Sequence, residues 1–138
     1  MEKHRCPWAG NDPLYIAYHD TEWGKPLHGD RPLFEMLSLE GMQAGLSWIT
    51  VLRKRAALRA AFAGFDIPTV AAFGDGDIAR CMGDPGIIRN RRKITSVIGN
   101  ARCVLDIQQE WGRVDAFIWH YTDGVPLVRH PATMAAVP

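Results

Sequence analysis

Apolar positions recur along the chain at helical intervals, and no stretch alternates with period two, so the pattern predicts helices and no sheet. Asp30-Arg31-Pro32 reads as an N-cap with an early-helix proline, followed by Leu33, Phe34, Met36, Leu37 and Leu39 at helical spacing. Gly41 and Gly45 weaken that pattern. Ser47 is placed to cap a second helix, with Trp48, Ile49, Val51, Leu52, Leu58 and Phe62 on its apolar side and Arg53, Lys54, Arg55 and Arg59 toward solvent. Asp66 is expected to cap a short helix through Phe73, and Asp77 another through Met82, stopped by Gly74 and Gly83. A long helix is predicted from about Asn90 to Trp111, ended by Gly112, with Ile94, Val97, Ile98, Ala101, Val104, Leu105 and Ile107 inward. Asp115 is expected to cap a last turn holding Phe117, Ile118 and Trp119, and the Pro- and Val-rich tail from Asp123 reads as a loop. The expectation is one all-α domain over residues 1–138, without repeats or heptads.

Composition narrows the function classes. A chain of 138 residues with 47% apolar and 22% charged residues has enough core to fold without staples. Its longest apolar run, residues 14–18, is far short of the ~20 residues of a membrane span, and the charged start lacks a signal core. Cys6, Cys81 and Cys103 form no CxxC pair, which suits a reduced, cytoplasmic protein, with Cys81 and Cys103 as small helix-interior fillers. With 16 basic and 15 acidic residues the chain is no bulk polycation, so any nucleic-acid affinity must be local.

One such locality is residues 81–93, where two glycines and a proline join two predicted helices. Arg89, Arg91, Arg92 and Lys93 place four cations within five residues at the start of the second helix. The macrodipole disfavours cations there unless an anion joins them, and free N–H groups at a helix start hold phosphate. A DNA backbone contact fits this density; a solvated charge run after an ordinary helical turn fits it equally well. A second locality is aromatic: Trp8, Tyr15, Tyr18, Trp23 and Trp48 are able to stack on bases, although core packing is the commoner fate of such rings. Glu40, between Leu39 and Gly41, either points into a pocket to recognise a base's exocyclic amine and act electrostatically or as a base, or ends its helix at the surface. Asp20 and Glu22 read as local hydrogen-bonding or capping groups. Cys6 and His19, with His4 nearby, are zinc-ligand types at no zinc-finger spacing, and His28, His120 and His130 are scattered. No GxSxG, P-loop, GxGxxG or HExxH occurs, which removes the commonest hydrolase, NTPase, dinucleotide and zincin classes.

Three longer strings are more particular. DPLYIAYHDTEWG (12–24), LFEMLSLEGMQAGLSWITVL (33–52) and GIIRNRRKI (86–94), the last followed by IGNA (98–101), closely resemble the 3-methyladenine DNA glycosylase I family of bacteria. The match runs in order from Cys6 to about Pro138. This resemblance implies a helix-hairpin-helix glycosylase fold in which residues 83–88, Gly83, Gly86 and Ile88 among them, grip the DNA backbone together with Arg89 and Arg91. It implies that Tyr18 and Trp48 stack on an extruded base, that Glu40 hydrogen-bonds its polar edge as the catalytic-pocket carboxylate, and that Trp8 lines the wall. Leu46, on a glycine-flanked bend, is the candidate wedge for the vacated base stack. Cys6 and His19 match two of the family's four structural zinc ligands; the other two, a His and a Cys, belong to a C-terminal segment that the family has beyond the point matching Pro138. The implied activity is hydrolysis of the N-glycosidic bond of 3-methyladenine in double-stranded DNA, by a monomer that releases the free base. A silent DNA- or base-binding module of the same fold is the rival expectation, resting on that missing segment.

Overall fold

The structure, a computed structural model, describes residues 3–138. Eight α-helices occur among the described residues: α1 (Pro13–Thr21), α2 (Asp30–Met42), α3 (Trp48–Arg53), α4 (Arg55–Ala61), α5 (Ile67–Ala71), α6 (Asp75–Met82), α7 (Arg91–Trp111) and α8 (Val114–His120). No strand occurs among them, and no helix is long and apolar enough to cross a membrane. The central α7 packs along α5, α2, α8 and α6. Its inward side, Ile94, Val97, Ile98, Ala101 and Val104, joins Phe34, Leu39, Val51, Leu58, Phe62, Phe65 and Val70 in one core.

Several helix ends follow the local code. Asn90 Oδ1 accepts from the Lys93 amide at 3.1 Å, Asp66 accepts from the Thr69 amide at 3.3 Å, and Gly112 closes α7 with φ +78°. Others depart from it. The helix expected from Ser47 onward breaks at Lys54 (φ −98°, ψ 0°), giving α3 and α4. The break carries Arg55 inward: its side chain is only 19% exposed and its guanidinium donates to Glu35 at 2.7 Å and to Glu22 at 2.8 Å. Arg55 is therefore an interior ion-pair member, not a solvent-side cation. Asp77 lies inside α6, where its carboxylate reaches back to the Gly74 amide at 3.0 Å. Cys81 is buried as expected, whereas Cys103 falls on the outer side of α7 and is exposed.

The starts of α2 and α8 depart most from the local code. Asp30 is the first residue of α2 and Asp115 the second of α8, and neither carboxylate caps its own helix. Asp30 accepts from the Asp115 amide (2.9 Å) and from Gln108 Nε2 (2.6 Å). Asp115 in turn accepts from the Gly29 amide ahead of α2 and faces His28 Nδ1 at 3.1 Å. Each carboxylate thus sits at the positive end of the other helix, where charge and unpaired amides favour it.

Candidate base pocket and hairpin

α1 forms although none of its residues is buried: Asp12 accepts from the Leu14 amide (2.9 Å) and the Tyr15 amide (3.4 Å), and Pro13 pre-sets the first turn. This helix carries Tyr15, Tyr18 and His19 toward the N-terminal segment. Trp8 lies in the middle of the cluster, its ring centroid 5.0 Å from Tyr15, 6.3 Å from Tyr18 and 5.3 Å from Trp23. Arg5 secures the segment through Asp20 at 2.8 Å, and Asp20 also accepts from His19. Those two partners, Arg5 first, hold the Asp20 carboxyl well below the usual carboxylate range.

Tyr18 faces Trp48 at the start of α3, with centroids 5.5 Å apart and planes tilted by 59°. Trp48 is a core residue at 8% exposure, yet its indole N–H is buried without a hydrogen-bond partner among the described residues. The Tyr18 phenol interacts with that indole, but outside hydrogen-bond geometry, so the donor stays unsatisfied. Such a donor costs on the order of 1–3 kcal/mol until something accepts from it. Burial pushes the Tyr18 phenol pKa up, and the charges of Glu40 and Glu22 add to the rise. Glu40 itself corrects one of the two expectations for it: the residue is exposed on the last turn of α2, not enclosed by apolar side chains. Its carboxylate is nonetheless close enough to act on Tyr18 and forms no hydrogen bond or ion pair among the described residues. The tilted rings leave no slot between them, since a flat guest needs faces about 7 Å apart, twice the ~3.5 Å contact distance.

After Met42 the chain turns outward. Gly45 adopts φ +76°, the Leu46 amide donates to the Gln43 carbonyl at 2.7 Å, and the Leu46 side chain projects from the turn at 39% exposure. On the neighbouring side, residues 83–90 join α6 to α7. Asp84 accepts from the Gly86 amide at 2.8 Å, and a Cβ on Gly86 would lie 3.2 Å from that of Ala57, so glycine allows the hairpin to seat against α4. Ile87 is buried as the anchor, and Ile88 is half-buried. Arg89, Arg91 and Arg92 are exposed and make no ion pair among the described residues. Lys93 differs: its ammonium turns inward onto the carbonyls of Met42 and Ala44.

The zinc expectation meets half a donor set. Cys6 and His19 are adjacent, but the Cys6 amide donates to His19 Nε2 at 3.3 Å and the other ring nitrogen faces Asp20 at 3.0 Å. No group of three or more His, Cys, Asp or Glu able to hold a metal occurs among the described residues, and a structural zinc site wants four. The described residues do not complete such a site.

Residues 8–138 match the family model described as methyladenine glycosylase. DNA-3-methyladenine glycosylase 1 of Escherichia coli (strain K12) is 49% identical over 134 residues, which are 97% of this chain and 72% of that protein. A crystal structure of 3-methyladenine DNA glycosylase I superposes with a TM-score of 0.92 at 49% identity, over 98% of this chain and 74% of that one. A Tyr-to-Phe variant of a 3-methyladenine DNA glycosylase I, in complex with 3-methyladenine, superposes with a TM-score of 0.86 at 38% identity, over 90% and 67% of the two chains. With the family model matched over nearly the whole chain and the helices laid out as in these enzymes, the chain belongs to the methyladenine glycosylase family.

Proposed function

We propose that the chain is a DNA glycosylase that removes 3-methyladenine from alkylated double-stranded DNA by hydrolysis. The observation that carries this reading is an unpaired carboxylate, Glu40, beside a half-buried tyrosine and a buried tryptophan with an orphaned N–H, in a chain of this family. N3-methylation gives adenine a positive charge in DNA, which weakens its glycosidic bond. The bond breaks with its electron pair going to the base, which leaves neutral, while water adds at the sugar carbon and loses a proton. Such a leaving group needs no strong acid, so selection of the cationic base is the pocket's main task. Tyr18 and Trp48 supply the aromatic faces, Trp8 the wall, and Glu40 the charge and hydrogen-bond acceptor.

The hairpin of residues 83–88 serves as the helix-hairpin-helix grip on the DNA backbone, aided by Arg89 and Arg91. Leu46 fills the gap that the flipped base leaves. The experiment is incubation of the chain with a duplex carrying one 3-methyladenine. Release of the free base and an abasic site is the expected outcome. A duplex retained without release would instead support a binding module, and no binding of duplex or base would overturn both.

A further inference from the structure

We propose that Lys93 is a positioning residue that couples the DNA-gripping hairpin to the segment bearing the base-reading side chains. This rests on the functional reading above and adds the part that keeps its two halves in register. Lys93 lies in the first turn of α7, directly after the hairpin. Its ammonium donates to the Met42 carbonyl at 2.8 Å and to the Ala44 carbonyl at 2.6 Å, at the far end of α2. A cation there meets the negative end of the helix and carbonyls left open by the outward turn, so the contact is charge-assisted at both oxygens.

The surroundings leave this contact little help. An open groove of about 160 Å³ lies between α2 and α7 beside Lys93, lined by Leu37, Ser38, Gly41, Arg92, Ser96 and Val97 among others, so the two helices do not close over the contact from the solvent side. The turn leaving α2 is exposed at Ala44, Gly45, Leu46 and Ser47, so few side chains pack over it. Yet Glu40, Leu46 and Trp48 all lie in or beside it. Of the four cations in the hairpin sequence, Arg89, Arg91 and Arg92 are free to meet phosphate, and Lys93 alone spans 51 residues of sequence to grip the base-side loop. A phosphate contact at the hairpin therefore sets where Leu46 and Glu40 stand relative to the duplex. Lys93 touches neither base nor sugar and acts through the backbone it holds.

The test uses the full chain with Lys93→Met, which keeps the stem and deletes the ammonium, and with Lys93→Arg, which restores donors. Four quantities are measured: binding to undamaged duplex, binding to the same duplex with a tetrahydrofuran abasic site, binding of free 3-methyladenine, and the single-turnover rate of base release. For Lys93→Met, undamaged-duplex and free-base affinities should stay within about twofold of wild type, as for sites not otherwise linked. Preference for the abasic-site duplex and the release rate should each fall about tenfold to a hundredfold, the range that small misplacement produces. Lys93→Arg should recover most of both. Unchanged preference and release in Lys93→Met would overturn the inference, as would a loss of free-base binding parallel to the loss of release. Should Lys93→Met fail to fold, Lys93→Gln is judged by the same four measurements. A wild-type chain with no preference and no release would overturn the functional reading itself, and this inference with it.

Discussion

At the scale of single residues, the pocket divides into a group that can be removed cleanly and one that cannot. Trp48 is part of the core, so Trp48→Ala would cost about 3–5 kcal/mol of stability and blur any binding defect. Glu40 is exposed and unpaired, and its loss should change stability by less than about 0.5 kcal/mol. Glu40→Gln is therefore expected to weaken free 3-methyladenine binding about tenfold or more, the worth of a charged hydrogen bond, with the unfolding midpoint unmoved. Titration calorimetry with the free base decides this, and unchanged affinity would remove Glu40 from the pocket. The residue types of the pocket were legible in the sequence, because family strings carry them. The sequence left Glu40 open between a pocket and the helix-end surface, and the structure places it at the surface; the tilt of Tyr18 against Trp48 was not legible, because it depends on how α1 docks against α3.

At the scale of elements, the hairpin presents three exposed arginines while Ile87 and Gly86 seat it against the core. Arg89→Ala combined with Arg91→Ala should reduce the slope of log affinity against log salt for duplex DNA by about 1.8, since each phosphate contact contributes about 0.9. Free-base binding should not change. An unchanged slope would take these arginines out of the DNA contact. Sequence spacing located α7 to within a residue at each end, because Asn90 and Gly112 act on their own helix. It missed α1, whose absence of buried residues leaves no apolar stripe; the Asp12-Pro13 start was the one available signal. It also ran α3 and α4 together, since no proline or glycine marks the break at Lys54.

At the scale of the whole molecule, carboxylates bind distant parts of the chain together. Asp115 has its pKa lowered first by the Gly29 amide and then by His28. Asp30 is lowered too: partial burial opposes the shift, and the amides of Asp115, Gln108 and Val114 outweigh it. A carboxylate depressed in the folded state contributes stability above its unfolded value of about 4, and loses it as pH falls through the folded value. Urea midpoints should therefore be flat from about pH 5 to 8 and fall below about pH 4. Asp115→Asn should lower the neutral-pH midpoint and shallow the acid limb; a variant with the full wild-type acid limb would contradict the cross-helix role. Zinc belongs at this scale as well. With Cys6 and His19 as the two expected donors in place among the described residues, metal analysis of the purified chain should find well under one zinc per molecule, and a stoichiometric ion would show that other ligands complete the site.

Short-range physics made four things legible along the chain: the all-helical class, the cap at Asp66, the start of α7 near Asn90 with its stop at Gly112, and the residue types that mark the family. Tertiary structure alone decided partners far apart along the chain. Asp30 and Asp115 carry the capping chemistry that their positions promise, yet each serves the other's helix across 85 or 86 residues. Arg55 looks like its neighbours in the basic run but is drawn inward by Glu22 and Glu35, and Lys93 leaves its arginine neighbours to hold α2. Local spacing fixes which face of a helix a side chain leaves from. Which charge or open carbonyl waits there depends on how the helices pack.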